Sequence, residues 1–221
     1  MKHVSDDITI GETTYNALRR DIIHCHLQPG EKLKLDDLKT RYNASVSTLR
    51  EVLNRLTAEH FVATSGQRGF FVAPMSDTDM QEVGDLRILL EGHALQLSFA
   101  AGDTEWEGRV VAAHHKLHRM EERMESEDYS VKEVWKQYDW EFHQSLIMAC
   151  GSNALLQVHG VIFDRYLRYQ MRALTYRGEI AAREHRQLLE CALSRDAESA
   201  QVVLRKHIEA GIQHSIAART S

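Results

Sequence analysis

The sequence predicts a mainly α chain in two parts: an N-terminal winged helix-turn-helix domain followed by an all-α antiparallel bundle of about six helices. Three observations carry that expectation. Between Leu27 and Pro74 a helix-turn-helix pattern runs straight into two short apolar runs joined by a basic, glycine-bearing turn. Pro29 and Pro74 are the only prolines, so nothing after Pro74 interrupts a helix by proline. Over that remaining stretch apolar residues recur at three-four spacing, the pattern of helices with one buried face.

The first part reads in order. Thr13 to His26 places Tyr15, Leu18, Ile22 and Ile23 on one face, and Gln28-Pro29-Gly30 stops the helix. Leu35 to Tyr42 is a second short helix and Asn43-Ala44 a tight turn. Ser45 caps a third helix, Val46 to His60, whose buried side is Leu49, Val52, Leu53 and Leu56. Phe61–Thr64 and Phe70–Ala73 read as strands, with Ser65-Gly66-Gln67-Arg68-Gly69 as the wing tip. The other face of the third helix carries Ser45, Ser47, Thr48, Arg50, Asn54 and Arg55, hydroxyl, amide and guanidinium groups suited to base edges in a major groove. Arg68, beside Gly69, is placed for phosphate or the minor groove. Double-stranded DNA is the expected partner.

The bundle follows. Asp77 to about Ala101 holds Met80, Val83, Leu86, Leu90, Ala94 and Leu97 on one face, and Gly102-Asp103-Thr104 breaks it. Trp106 to Ser126 is next, then Val131 to Cys150, ending at Gly151-Ser152-Asn153. Ala154 to Tyr176 carries Leu155, Val158, Ile162, Leu167 and Met171 inward, and Gly178 interrupts it. Glu179 to Leu193 and, capped by Asp196, Ala197 to about Arg219 complete the set. The expected domains are a flexible tail over 1–12, the winged helix over 13–74, a linker over 75–79 and the bundle over 80–217.

The net charge of −5 at first argues against nucleic acid. The charge is unevenly divided, however: residues 13–74 hold nine Lys/Arg against six Asp/Glu, whereas residues 75–221 hold 17 against 23. An acidic bundle lowers non-specific adhesion to DNA while the reading end stays positive. Met1 to Ile10 is polar rather than an apolar signal core, and no stretch approaches a spanning length, so a cytoplasmic location with no membrane partner is expected. Cys25, Cys150 and Cys191 are odd in number and widely spaced, which favours plain thiols over a disulfide or zinc cage.

One polar constellation stands out in the bundle. Asp139 and His143 lie four apart and project from one helix face. His185 near the start of the next-to-last helix and His207 near the middle of the last can point into the same cavity. Three imidazoles and one carboxylate suit zinc, nickel or another divalent first-row metal, with positions left for water or a ligand. Of the thirteen histidines, His3, His24, His26, His60, His93, His114, His115, His118, His159 and His214 receive no ligand role. Spacing alone does not decide between a metal site and a satisfied core.

Over Thr13 to His214 the chain resembles the GntR family of bacterial regulators, in the FadR-like branch whose C-terminal bundle is called the FCD domain. The resemblance lies in Leu27-Gln28-Pro29-Gly30-Glu31-Lys32-Leu33, in Leu49-Arg50-Glu51-Val52-Leu53-Asn54-Arg55-Leu56, and in Arg68-Gly69-Phe70-Phe71-Val72. In the bundle, Asp139 and His143, then His185 within Glu184-His185-Arg186, then His207 within Lys206-His207-Ile208, fit the family's metal-binding pattern in order and separation. Arg87, in Asp85-Leu86-Arg87-Ile88, resembles an arginine that faces the family's ligand cavity. Val46 and Lys39 depart from the family pattern, which leaves the operator sequence open.

A cavity that combines a divalent cation with arginines suits a small organic carboxylate. Arg87 leads the expected effector contacts, with Arg168, Arg172 and Tyr138 behind it. Short dicarboxylates, hydroxy acids, sugar acids and citrate-like acids all satisfy such a site. The expected function is a ligand-responsive transcription factor acting as a repressor: a homodimer presents two recognition helices to a palindrome and a bound carboxylate releases it. The alternatives are a DNA-binding protein with a purely structural metal site and a metallohydrolase using Glu141 or Glu184 as base.

Overall fold

Thr9 opens the first helix, α1 (Ile10–Ile23): its backbone is extended and its hydroxyl accepts a hydrogen bond from Glu12 N at 3.2 Å. This cap starts the helix three residues ahead of Thr13, and the helix ends at Ile23 rather than His26. Cys25 takes φ 57°, and the amides of His26 and Leu27 turn back to Asp21 O. The structure, a computed structural model, describes residues 9–173 and 176–220; residues 1–8 of the expected tail lie outside them.

The chain folds into two units, one from the chain up to Ser76 together with Leu167–Arg172, the other from Asp77–Tyr166 and Ala173 onward. In the first, α2 (Leu35–Tyr42) ends on Asn43 at φ 48°, and α3 (Val46–Ala58) packs Leu49, Val52, Leu53 and Leu56 inward against α1 and α2. The sheet corrects the two-stranded expectation. Among the described residues it has three antiparallel strands in the order β1 (Lys32–Leu33), β3 (Phe70–Val72), β2 (Val62–Thr64), with Lys32 opposite Phe71 and Ala63 opposite the same Phe71. A two-residue strand has no alternation to read in sequence. It forms because Gly30, at φ 79°, turns the chain so that Gly30 N donates to Val72 O and Val72 N to Glu31 O. The wing tip is a tight turn over Gly66–Arg68, closed by Gly69 at φ 95°.

Among the described residues six helices make up the second unit: α4 (Asp77–Ala101), α5 (Thr104–Glu125), α6 (Lys132–Ile147), α7 (Asn153–Ala173, less the Leu167–Arg172 turns counted with the first unit), α8 (Glu179–Ser194) and α9 (Ala197–Thr220). Helix α5 packs on α6 and α8, α4 on α9 and α6, and α8 on α9. Two inner faces differ from expectation. On α4 Leu86 is exposed, and the buried row runs Met80, Val83, Arg87, Ile88, Glu91, Ala94, Leu95, Ser98. On α7 Val158 is exposed while His159, Ile162, Phe163 and Tyr166 are buried. In both helices the face turns because polar side chains with buried partners occupy the interior in place of leucine or valine. Among the described helices none is long and apolar enough to cross a membrane, and Cys25, Cys150 and Cys191 are free thiols.

Candidate functional site

The reading end is assembled by the cap of α3. Ser45 sits in extended conformation and its hydroxyl accepts from Thr48 N at 3.1 Å, while its Oγ lies 2.8 Å from Ser47 Oγ and 2.9 Å from Thr48 Oγ1. Ser45, Ser47, Arg50 and Asn54 are exposed and Thr48 half-buried; at the wing tip Arg68 is exposed and Gly69 half-buried. Arg55 stands apart from this set. Its guanidinium pairs with Glu12 at 2.7 Å and Glu59 at 3.6 Å and lies 3.6 Å over the Tyr15 ring, so it fastens α3 to α1.

Within the bundle, Asp139 and His143 from α6, His185 from α8 and His207 from α9 come together. One ligand atom of each lies within 4.8 Å of all the others, and all four residues are buried. The ring centroids of His185 and His207 are 4.7 Å apart and those of His143 and His207 5.3 Å. His185 Nε2 is 3.2 Å from Asp139 Oδ1 and His143 Nε2 is 4.0 Å from it.

Three glutamates stand behind the imidazoles. His143 Nδ1 lies 2.5 Å from Glu91 Oε1, His185 Nδ1 2.6 Å from Glu121 Oε1, and His207 Nδ1 2.9 Å from Glu184 Oε2. A carboxylate accepts, so Nδ1 of His143 and of His185 is the protonated nitrogen and Nε2 of each is turned to Asp139; His207 Nδ1 lies between Glu184 and the Arg177 guanidinium, which donates. The Nε2 atoms of His143 and His185 are buried with no hydrogen-bond partner. That is costly in a closed polar core and fits a bound cation, because an imidazole oriented by a carboxylate on its far nitrogen is the arrangement metal-ligating histidines adopt. Zinc-like or nickel-like ions suit this donor set.

The charges agree with that fit. Burial works against Asp139, but Lys136, His185 and His143 hold its carboxyl well below the ordinary range. Burial also opposes charge on His185, yet Asp139 and Glu121 outweigh it and push the imidazole up to about 9. His207 and His143 are pulled down, first by burial and then by His185 and by Arg87 respectively, so both present lone pairs. Positive charge is favoured at the centre of the four.

The expected effector contacts divide. Arg87 is 1% exposed, stacks 4.3 Å from the Phe163 ring centroid and donates through Nε to Glu91 Oε2 at 2.8 Å, the carboxylate that also holds His143. The other three have different surroundings. Arg168 is buried in the first unit, where it donates to Ala73 O at 2.5 Å; Arg172 is exposed; Tyr138 is half-buried with its ring 5.7 Å from Lys116 Nζ. For Tyr138 helical phase explains this: the residue beside Asp139 on α6 points about 100° away from it. Glu91, Glu121, Lys136 and Arg177 have no role in the sequence reading, Glu184 enters it only as a candidate base, and His159 only as a histidine without a ligand role. His159 is fully buried with Nε2 3.2 Å from Glu91 Oε2, and Arg177 Nη2 lies 2.9 Å from Glu184 and 3.0 Å from His207 Nδ1. A signal for the glutamates was present: each falls in phase with its helix's apolar row, as Glu121 does between Leu117 and Met124.

A winged reading head joined to a bundle with an interior polar site defines a regulator of transcription. Residues 10–72 match the family described as bacterial regulatory proteins, gntR family, and residues 82–210 match the FCD domain. The chain is 40% identical over 205 residues to the uncharacterized HTH-type transcriptional regulator BphR of Paraburkholderia xenovorans (strain LB400), covering 91% of this chain and 83% of that protein. It is 34% identical over 200 residues to the HTH-type transcriptional repressor GlaR of Escherichia coli (strain K12), covering 88% and 90%. The solved structure of E. coli McbR/YncC shares the fold, with a TM-score of 0.79 at 16% identity over 95% of this chain and 98% of that one. The chain therefore belongs to the GntR family of DNA-binding transcriptional regulators and carries an FCD domain. The relatives named are regulators, not enzymes.

Proposed function

We propose that this regulator is a cytoplasmic, homodimeric repressor, released from operator DNA by a small organic carboxylate at a zinc or nickel ion held by Asp139, His143, His185 and His207. The observation that carries the reading is the pair of buried, partnerless Nε2 atoms on His143 and His185, aimed at Asp139 and backed by Glu91 and Glu121. When bound, a divalent cation supplies positive charge that a carboxylate oxygen can meet. Arg87 orients that carboxylate with its buried guanidinium, and Glu91 couples Arg87 to His143. Ser45, Ser47, Thr48, Arg50, Arg68 and Gly69 face the operator, and Arg55 braces the helix that carries them. The repressor sense is supported by the name of the 34% identical relative.

The test is fluorescence anisotropy of the metal-loaded protein on the DNA upstream of its own gene, with and without a panel of carboxylates. At least one acid that binds the protein weakens operator affinity by about tenfold or more. Equal affinity with and without every acid that binds removes the effector reading and leaves the metal as a cross-link between helices.

A further inference from the structure

Lys136 lies one turn before Asp139 on α6 and is only 7% exposed, a costly place for an amine. Its Nζ donates to Asp139 Oδ2 at 3.3 Å, while Asp139 Oδ1 is the oxygen that faces His185 Nε2 at 3.2 Å. The carboxylate is thereby divided, one oxygen engaged by the lysine and the other turned to the imidazoles. A carboxylate that gives a cation both oxygens fills two coordination positions; one divided in this way fills a single position. Arg87 and Arg177 both bear electrostatically on Lys136, and Arg87 Nη2 is buried with no hydrogen-bond partner. Each of these cations has an acidic partner, Asp139 for Lys136, Glu91 for Arg87 and Glu184 for Arg177, so the cluster accepts a cation while amine and guanidinium N–H groups stand ready for an anion beside it.

We propose that Lys136 reserves a coordination position for an anion. By keeping Asp139 to one donor oxygen it leaves room at the cation, and together with the free Nη2 of Arg87 it supplies the positive lining that selects a carboxylate for that room. The inference rests on the metal-and-carboxylate reading and deepens it, naming the residue that makes the site responsive to an anion rather than merely cross-linked.

The experiment loads the full-length protein with Co2+ and titrates it with sodium acetate and with the same carboxylate panel, following the visible d–d absorption and the heat of binding. Two variants, Lys136→Met and Lys136→Gln, keep much of the stem and remove the charge. Both take up Co2+ at the wild-type stoichiometry yet bind acetate about tenfold or more weakly, with the acetate-dependent spectral change lost. Acetate affinity in both variants within about twofold of wild type overturns the role of Lys136 and leaves the effector reading standing. A wild-type protein that takes up Co2+ and answers to no carboxylate overturns the effector reading, and this inference with it.

Discussion

Glu121 Oε1 holds His185 Nδ1 at 2.6 Å, and both residues are only 1% exposed. The pair fixes the imidazole so that Nε2 looks toward Asp139, and it does so from α5, a helix that contributes no residue to the cluster of four.

Replacing Glu121 by Gln removes the charge that orients and polarises His185 while keeping the volume. The affinity for Zn2+ or Ni2+, measured by competition with a chromophoric chelator, falls by about 10–100-fold. Far-UV circular dichroism stays at the wild-type level. An unchanged affinity shows that Glu121 supports packing only.

In the first unit Asp21 accepts from Arg41 Nη2 and from Tyr42 OH, both at 2.7 Å, and so ties α1 to α2. Burial opposes its charge, but hydrogen bonds from Tyr42 and His26 and the Arg41 guanidinium outweigh it and set the carboxyl below its ordinary 3.8. A lowered folded value means the stabilisation is complete above the unfolded value and disappears as pH falls through the folded one. Asp21→Asn therefore lowers stability by about 1–3 kcal/mol at neutral pH. In thermal melts the gap between wild type and variant closes only below pH 3.8. A gap that is constant down to the acid transition contradicts the ion-pair origin.

Close packing at the α4–α5 corner makes a separate prediction. A Cβ at Gly102 would stand 2.4 Å from Trp106 Cε3, a ring that is 1% exposed and held by Nε1 donating to Ser145 O at 2.9 Å. The ring has nowhere to go. Gly102→Ala costs about 1–3 kcal/mol by overpacking, read as a lower melting temperature, whereas Gly108→Ala, with nothing within 4 Å, carries no such clash.

Arg50 and Arg68 are exposed at the reading end, and the proposed operator contacts give them a base role and a backbone role respectively. Arg50→Ala weakens the operator by about 1–3 kcal/mol and relaxes the sequence preference, while Arg68→Ala weakens all sequences alike and lowers the salt slope by about one. Titrations at several salt concentrations, on operator and scrambled DNA, distinguish the two. Arg55→Ala acts differently again: with its ties to Glu12, Glu59 and Tyr15 gone, it lowers thermal stability as well as operator affinity.

The sequence carried the parts of this arrangement whose physics is local. The cap at Ser45, the buried row of α3 and the Asp139–His143 step are set by residues within a turn or two of each other, and all lie where the spacing puts them. What it did not carry depends on partners far along the chain. Glu91 on α4 and Glu121 on α5 lie in phase with their apolar rows, but which imidazole each one meets is decided by the packing of α4 on α6 and α5 on α8. Strand β1 was missed for the same reason, since two residues become a strand only when β3 lies alongside. The facing of Arg168 and Arg172 was not legible either, because arginine is compatible with any face of a helix and only the apolar rows around it fix the phase.

The central claim is that Asp139, His143, His185 and His207 form one cation site. Equilibrium dialysis against Zn2+ or Ni2+, followed by elemental analysis of wild type and of His207→Ala and Asp139→Asn, tests it most directly. About one tightly held ion per wild-type chain is expected, with that ion lost in both variants. The same ion content in all three proteins would contradict it.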